Sequence, residues 1–117
     1  MPLPQIAYFA GGALMLLDAV LYSIGALRPL RRALAPDNDY WARRLLLNLL
    51  LANAGLYLTA IFTLVGAYVE SPAVMAVGVL ACAYTAASVP VLTPRDWPHA
   101  IPRALGGVLI LVGLIVR

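Results

Sequence analysis

The stretch LMLLDAVLYS, residues 14–23, sets one carboxylate, Asp18, inside an apolar run long enough to cross a membrane. An acid at the centre of such a helix costs about 2.5 to 3.5 kcal/mol to insert, so it has to face protein or water rather than acyl chains. Two roles fit it. One is a proton or cation site, the default reading of an intramembrane ionisable group. The other is a hydrogen-bonded acid that pins its helix to a neighbour. Tyr22, one turn on, is placed to donate to the carboxylate. Asn48, Asn53 and Tyr57 in the next apolar segment complete the candidate set for binding a ligand or proton.

Other chemistry is thinly provided for. A single cysteine, Cys82, excludes an internal disulfide, and with the single histidine, His99, it cannot assemble a Cys/His zinc site or a bis-histidine haem within one chain. Cys82 lies among apolar residues in mid-segment and is expected to be unreactive. Ser23, Ser71 and Ser88 have no base nearby in sequence. Gly11-Gly12 and Gly106-Gly107 fall inside apolar segments rather than in a phosphate-binding loop. The expectation is a protein that is not an enzyme and carries no cofactor or metal.

The elements that hold these residues follow from composition. Of the 117 residues 63% are hydrophobic and 11% charged, against roughly a quarter charged in a soluble domain. Residues 6–27, 45–66, 73–92 and 100–116 each approach the ~20 apolar residues that span a bilayer core. Backbone groups in lipid must pair within their own segment, so these spans are expected to be helices. The fold class is therefore all-α, a transmembrane four-helix bundle made as one membrane domain over residues 1–117. Asp18 lies about 12 residues into the first span, roughly 18 Å along it. The N-terminal residues lack the basic region of a secretory signal, so the first span is expected to be retained.

Breakers and caps punctuate the connections. Residues 28–44, RPLRRALAPDNDYWARR, hold Pro29 and Pro36 as breakers and Asp37, Asn38 or Asp39 as cap for the second helix. AYVESP reads as a tight turn, and TPRDWPHAIP offers Asp96 as a cap. Pro90 is expected to end or kink the third helix near Val89.

All eight basic residues are arginines, as expected of a GC-rich bacterial genome, and they gather at span ends rather than on a nucleic-acid-binding face. Arg28, Arg31, Arg32, Arg43, Arg44, Arg95 and Arg103 fall on one side of the membrane and only Arg117 on the other, with Arg103 expected to snorkel. The positive-inside rule then puts both termini on the periplasmic or extracellular side of a bacterial inner membrane. Arg28, Arg31, Arg32, Arg43, Arg44, Trp41 and Trp97 are the expected headgroup contacts.

Small residues recur at helical spacing. Ala7, Gly11, Leu14, Asp18, Tyr22 and Gly25 share one face, Asn48, Ala52, Gly55, Thr59, Thr63 and Gly66 another, with Gly78, Cys82 and Thr85, then Gly106 and Gly113, on the last two spans. Such stripes let membrane helices approach closely. Asn53 and Tyr57 point off their stripe, towards the third helix.

Leu51-Ala52-Asn53-Ala54-Gly55-Leu56-Tyr57, after an acid in the first span and before Pro102 at the start of the fourth, resembles a group of small bacterial four-helix membrane proteins allied to DoxX. That group has glutamine where this chain has Ala54 and histidine where it has Ala19, and the resemblance implies a fold more than an activity. YFAGGALMLLDAVLYS is also similar to the first helix of small multidrug transporters, whose acid exchanges a proton for a cation; that resemblance would give Asp18 the exchange role. The functional expectation is an accessory subunit or binder of a lipid or quinone-like molecule, in contact with membrane lipids and part of a homo-oligomer or larger membrane complex, without nucleic acid. The alternative is a proton-coupled transporter of small cations.

Overall fold

A computed structural model describes residues 2–117 apart from Ala35, Asp37, Asn38 and Thr93, with the backbone only at Leu92 and Asp96. The chain forms α1 (Leu3–Tyr22), a π-helical turn (Ser23–Leu27), α2 (Arg28–Leu34), α3 (Tyr40–Tyr68), α4 (Pro72–Leu92), a 3₁₀ segment (Pro94–Ala100) and α5 (Ile101–Val116). Four of the resulting helical rods are long and apolar enough to cross a membrane: Leu3–Leu34, Tyr40–Tyr68, Pro72–Val91 and Trp97–Val116. This is the expected all-α, multi-pass architecture. α1 packs on α5 and α3, and α4 on α5 and α3, closing a four-membered ring.

The first connection is more helical than its prolines suggest. Pro29 does not break the chain but sits at the second position of α2. A proline inside an α-helix clashes with the carbonyl four residues back. Here the preceding turn is wound in π register, with the Arg28 N–H donating to Ser23 O, and this wider turn lets the rod continue. Asp39 holds the N-cap position of α3 but its side chain makes no cap bond. Asp37 and Asn38 lie outside the described residues, as does the side chain of Asp96, and the cap of α5 is Ala100.

The α3–α4 turn is tight, as read. The Ser71 N–H donates to Gly66 O (3.0 Å) and the Glu70 N–H to Ala67 O (3.3 Å), which is a Schellman closure. Its left-handed position, normally glycine, is Glu70 with φ 57°. Pro90 lies inside α4, which runs on to Leu92 instead of ending at Val89. In the last turn a proline removes one backbone bond, too little to stop the helix there.

Tyr8, Met15, Ala60, Ala67, Met75, Cys82 and Ile110 form the core. On α1 the buried line is Tyr8, Gly11, Gly12, Met15 and Ala19, broader than the expected stripe and rotated from it, because α1 serves two neighbours. An added Cβ at Gly11 would collide with Gly106 O at 2.7 Å and with Ile110 on α5, and one at Gly12 with Leu64 on α3 at 2.7 Å. Gly25 and Gly55, expected in the stripes, have nothing within 4 Å. Outward faces are apolar, with Leu58, Leu80 and Ile115 exposed, as a lipid-facing surface requires.

Candidate functional site

Asp18 and Arg103 meet in the interior. The Arg103 Nε donates to Asp18 Oδ2 at 2.6 Å, with the two side chains 3% (Arg103) and 14% (Asp18) exposed. Arg103 therefore does not snorkel: it is buried on the first turn of α5, and its Nη2 donates to the Leu56 carbonyl of α3 at 3.4 Å. Side chains on a helix lean towards its N-terminus, which carries this guanidinium back along α1 to the level of Asp18. The close contact of Gly11 with Gly106 brings the two backbones near enough for the pair to form. One nitrogen, Nη1, is buried with no hydrogen-bond partner among the described residues.

A second polar group adjoins it. The Ser23 hydroxyl lies 2.7 Å from Asn53 Oδ1, 3.1 Å from the Tyr57 hydroxyl and 3.0 Å from Ala19 O. Ser23 has one proton to give, so when it donates to Asn53, the Tyr57 hydroxyl donates to it. Asn53 and Tyr57 thus face α1 rather than α4, which corrects the expected direction. The two groups are linked through the backbone: Ser23 lies against the carbonyl of Ala19, which follows Asp18, and Arg103 against that of Leu56, which precedes Tyr57. The π-helical turn begins at Ser23, and such turns place side chains outside regular α register.

The remaining candidates are placed elsewhere. Tyr22 is half-buried and makes no hydrogen bond to Asp18 among the described residues. Asn48 is exposed on the outer half of α3 and takes no part. Cys82 is buried as read, but its surroundings are not purely apolar: Asp18 lies within electrostatic reach of the thiol, and the Arg103 guanidinium is near enough to interact with the sulfur as a weak acceptor. Arg28, Arg31, Arg32, Arg43, Arg44, Trp41 and Trp97 are exposed on the other side of the π-helical turn or along the two connections. Tyr40 stacks edge-on against Trp41 with centroids 5.1 Å apart.

The arrangement offers a cation with one buried nitrogen, Nη1, that has no oxygen or nitrogen acceptor among the described residues, an amide and two hydroxyls, all between α1, α3 and α5. It is suited to holding an oxygen-bearing head group by hydrogen bonds. It offers no activated nucleophile. Compared with protein-family models, curated proteins and solved structures, the chain has no match.

Proposed function

We propose that the chain is a non-enzymatic multi-pass protein of a bacterial inner membrane. Its polar seam between α1 and α3 receives the head of a hydrophobic molecule, a lipid or quinone bearing an accepting oxygen, and it works as an accessory subunit or binder within a larger or homo-oligomeric assembly. The observation that carries this reading is the buried Arg103 guanidinium, whose Nη1 has no oxygen or nitrogen acceptor among the described residues and only the weakly accepting Cys82 sulfur near the group, together with the Ser23–Asn53–Tyr57 group. A buried polar atom left unmatched costs about 1 to 3 kcal/mol, and an accepting ligand oxygen would recover that. A DoxX-like layout belongs to the same proposal and adds no activity of its own.

Orientation is part of it. With Arg103 paired inside the bundle, Arg28, Arg31, Arg32, Arg43, Arg44 and Arg95 still oppose Arg117, so the two arginine-bearing connections face the cytosol. Cysteines placed at Glu70 and at His99, both exposed, should label from opposite sides, Glu70 from the periplasm.

The binding test is extraction. Protein purified in mild detergent should carry a lipid or quinone detectable by mass spectrometry, lost on Asn53→Ala and Tyr57→Phe. A lone monomer with no co-purifying lipid, quinone or protein sinks the proposal. Cation exchange at Asp18 is the second reading, and the geometry supports it less, because Arg103 already occupies the carboxylate at 2.6 Å. Uptake coupled to a pH gradient that persists in Asp18→Asn would eliminate it.

A further inference from the structure

At the far end of α1 from Ser23, where the α3–α4 turn and the last residues of α5 converge, a cavity of about 490 Å³ is lined by Pro4, Gln5, Tyr8, Glu70, Pro72 and Arg117, among others. The Tyr8 ring is clamped by α5, since an added Cβ at Gly113 would meet it at 2.7 Å. Its hydroxyl is buried and has no partner among the described residues. A buried hydroxyl without a partner asks for an explanation, a bound group being one. The Gln5 side chain donates to Ala67 O at 3.4 Å and ties the cavity wall to the end of α3. Glu70, in left-handed backbone where glycine is the usual choice, brings a carboxylate to the same cavity, and Arg117 brings a guanidinium.

We propose that this cavity binds a zwitterion carrying an ammonium and a phosphate, the phosphoethanolamine headgroup of a membrane phospholipid. Glu70 takes the ammonium, Arg117 the phosphate, which guanidinium groups grip in a fork, and the Tyr8 hydroxyl donates to a phosphate oxygen. The volume is within the range of small-ligand sites. A lipid is favoured over a soluble zwitterion by location: the cavity lies at the end of apolar helices, and Leu3 and Val116, next to its lining in sequence, are exposed for acyl chains to lie on. The site does not rest on the seam between α1 and α3.

Native mass spectrometry of the full chain released from phosphatidylcholine nanodiscs doped with phosphatidylethanolamine and phosphatidylglycerol tests this. Phosphatidylethanolamine should be retained preferentially, because the quaternary ammonium of phosphatidylcholine has no proton to give and phosphatidylglycerol has no cation for Glu70. Glu70→Gln and Arg117→Gln should each lower that retention roughly tenfold, as expected for removing a charged hydrogen-bond partner. Tyr8→Phe, which deletes only the hydroxyl, should lower it less, and Gly25→Ala, in open space at the other end of the bundle, should leave it unchanged. Equal retention of the three lipids by the wild-type chain overturns the proposal, as does preference that survives both charge substitutions in variants with wild-type melting. Free O-phosphoethanolamine that perturbs the Tyr8 ring resonance while the three lipids are retained equally likewise overturns the lipid proposal, and would assign the cavity to a soluble zwitterion instead.

Discussion

Removing either half of the Asp18–Arg103 pair should be costly, and the two halves should not cost the same. Arg103→Met leaves a carboxylate that is 14% exposed and keeps some access to water, whereas Asp18→Leu strands a guanidinium that is only 3% exposed. Breaking a buried pair from one side costs about 3 to 5 kcal/mol; Arg103→Met should fall at the low end and Asp18→Leu at the high end. The double variant removes both charges and fills the space with apolar atoms, so it should return to within about 1 kcal/mol of wild type or exceed it. The assay is reversible unfolding in mixed micelles by dodecyl sulfate titration, followed by helical circular dichroism across the double-mutant cycle. Energies that simply add, to within about 0.5 kcal/mol, would refute the reasoning, because they would mean that the two side chains do not depend on each other.

Three further outcomes follow from the packing. Gly11→Ala and Gly106→Ala should each destabilise the bundle by about 1 to 3 kcal/mol through overpacking, while Gly25→Ala and Gly55→Ala, with open space around them, should be neutral or stabilise by up to about 1 kcal/mol; the same titration measures all four. Glu70→Gly relieves a left-handed backbone and should raise stability by about 1 kcal/mol while lowering retention of phosphatidylethanolamine roughly tenfold, as Glu70→Gln does. Ser23→Ala removes the hydroxyl that joins Asn53 and Tyr57; the Ser23–Asn53 coupling in a cycle with Asn53→Ala should be about 0.6 kcal/mol, the usual size for a hydrogen bond between membrane helices, and a coupling of zero would remove this bond from the description.

The four spans were legible because lipid leaves the chain few options: long apolar runs must close their own backbone bonds, and the expected ranges differ from the observed rods mainly at their ends. Those ends depend on local winding that no hydropathy pattern carries. Residues 28–34 read as a loop because Pro29 is a breaker in α register, and the π turn that accommodates it leaves no mark in composition. The candidate site was half legible. Polarity alone marks Asp18, Asn53 and Tyr57, but in sequence Ser23 suggests only a nucleophile and Arg103 only a topology determinant. A signal for the latter was present. Within the four expected spans the charged residues are Asp18 and Arg103, of opposite sign, and two such charges in one apolar bundle have each other as the natural partner. Asn48 failed for the converse reason: helical periodicity assigns a face, yet only a neighbouring helix makes that face an interior one.

The position of the ion pair also explains why a membrane bundle would keep it. α5 has 16 helical residues, about 24 Å at 1.5 Å per residue, and crosses only together with the end of the 3₁₀ segment, as the rod Trp97–Val116; it meets α1 through glycines. A glycine seam is smooth: Gly11, Gly106 and Gly113 define how close α1 and α5 come, but they oppose sliding along the axis only weakly. Lipid supplies no hydrophobic force to correct a slip, since apolar side chains are equally well solvated by acyl chains. A displacement by one turn, about 5.4 Å, would pull Nε well away from Oδ2 and leave two opposite charges unmatched in a dry environment. The pair therefore fixes the axial register of α5 against the longest rod. That register in turn sets the Arg103 guanidinium on the Leu56 carbonyl, beside Tyr57 and the Ser23 hydroxyl. On this view the charge that the sequence places in the middle of the first helix is the pin that aligns the polar seam, and the seam's Nη1 donor is what a ligand would meet.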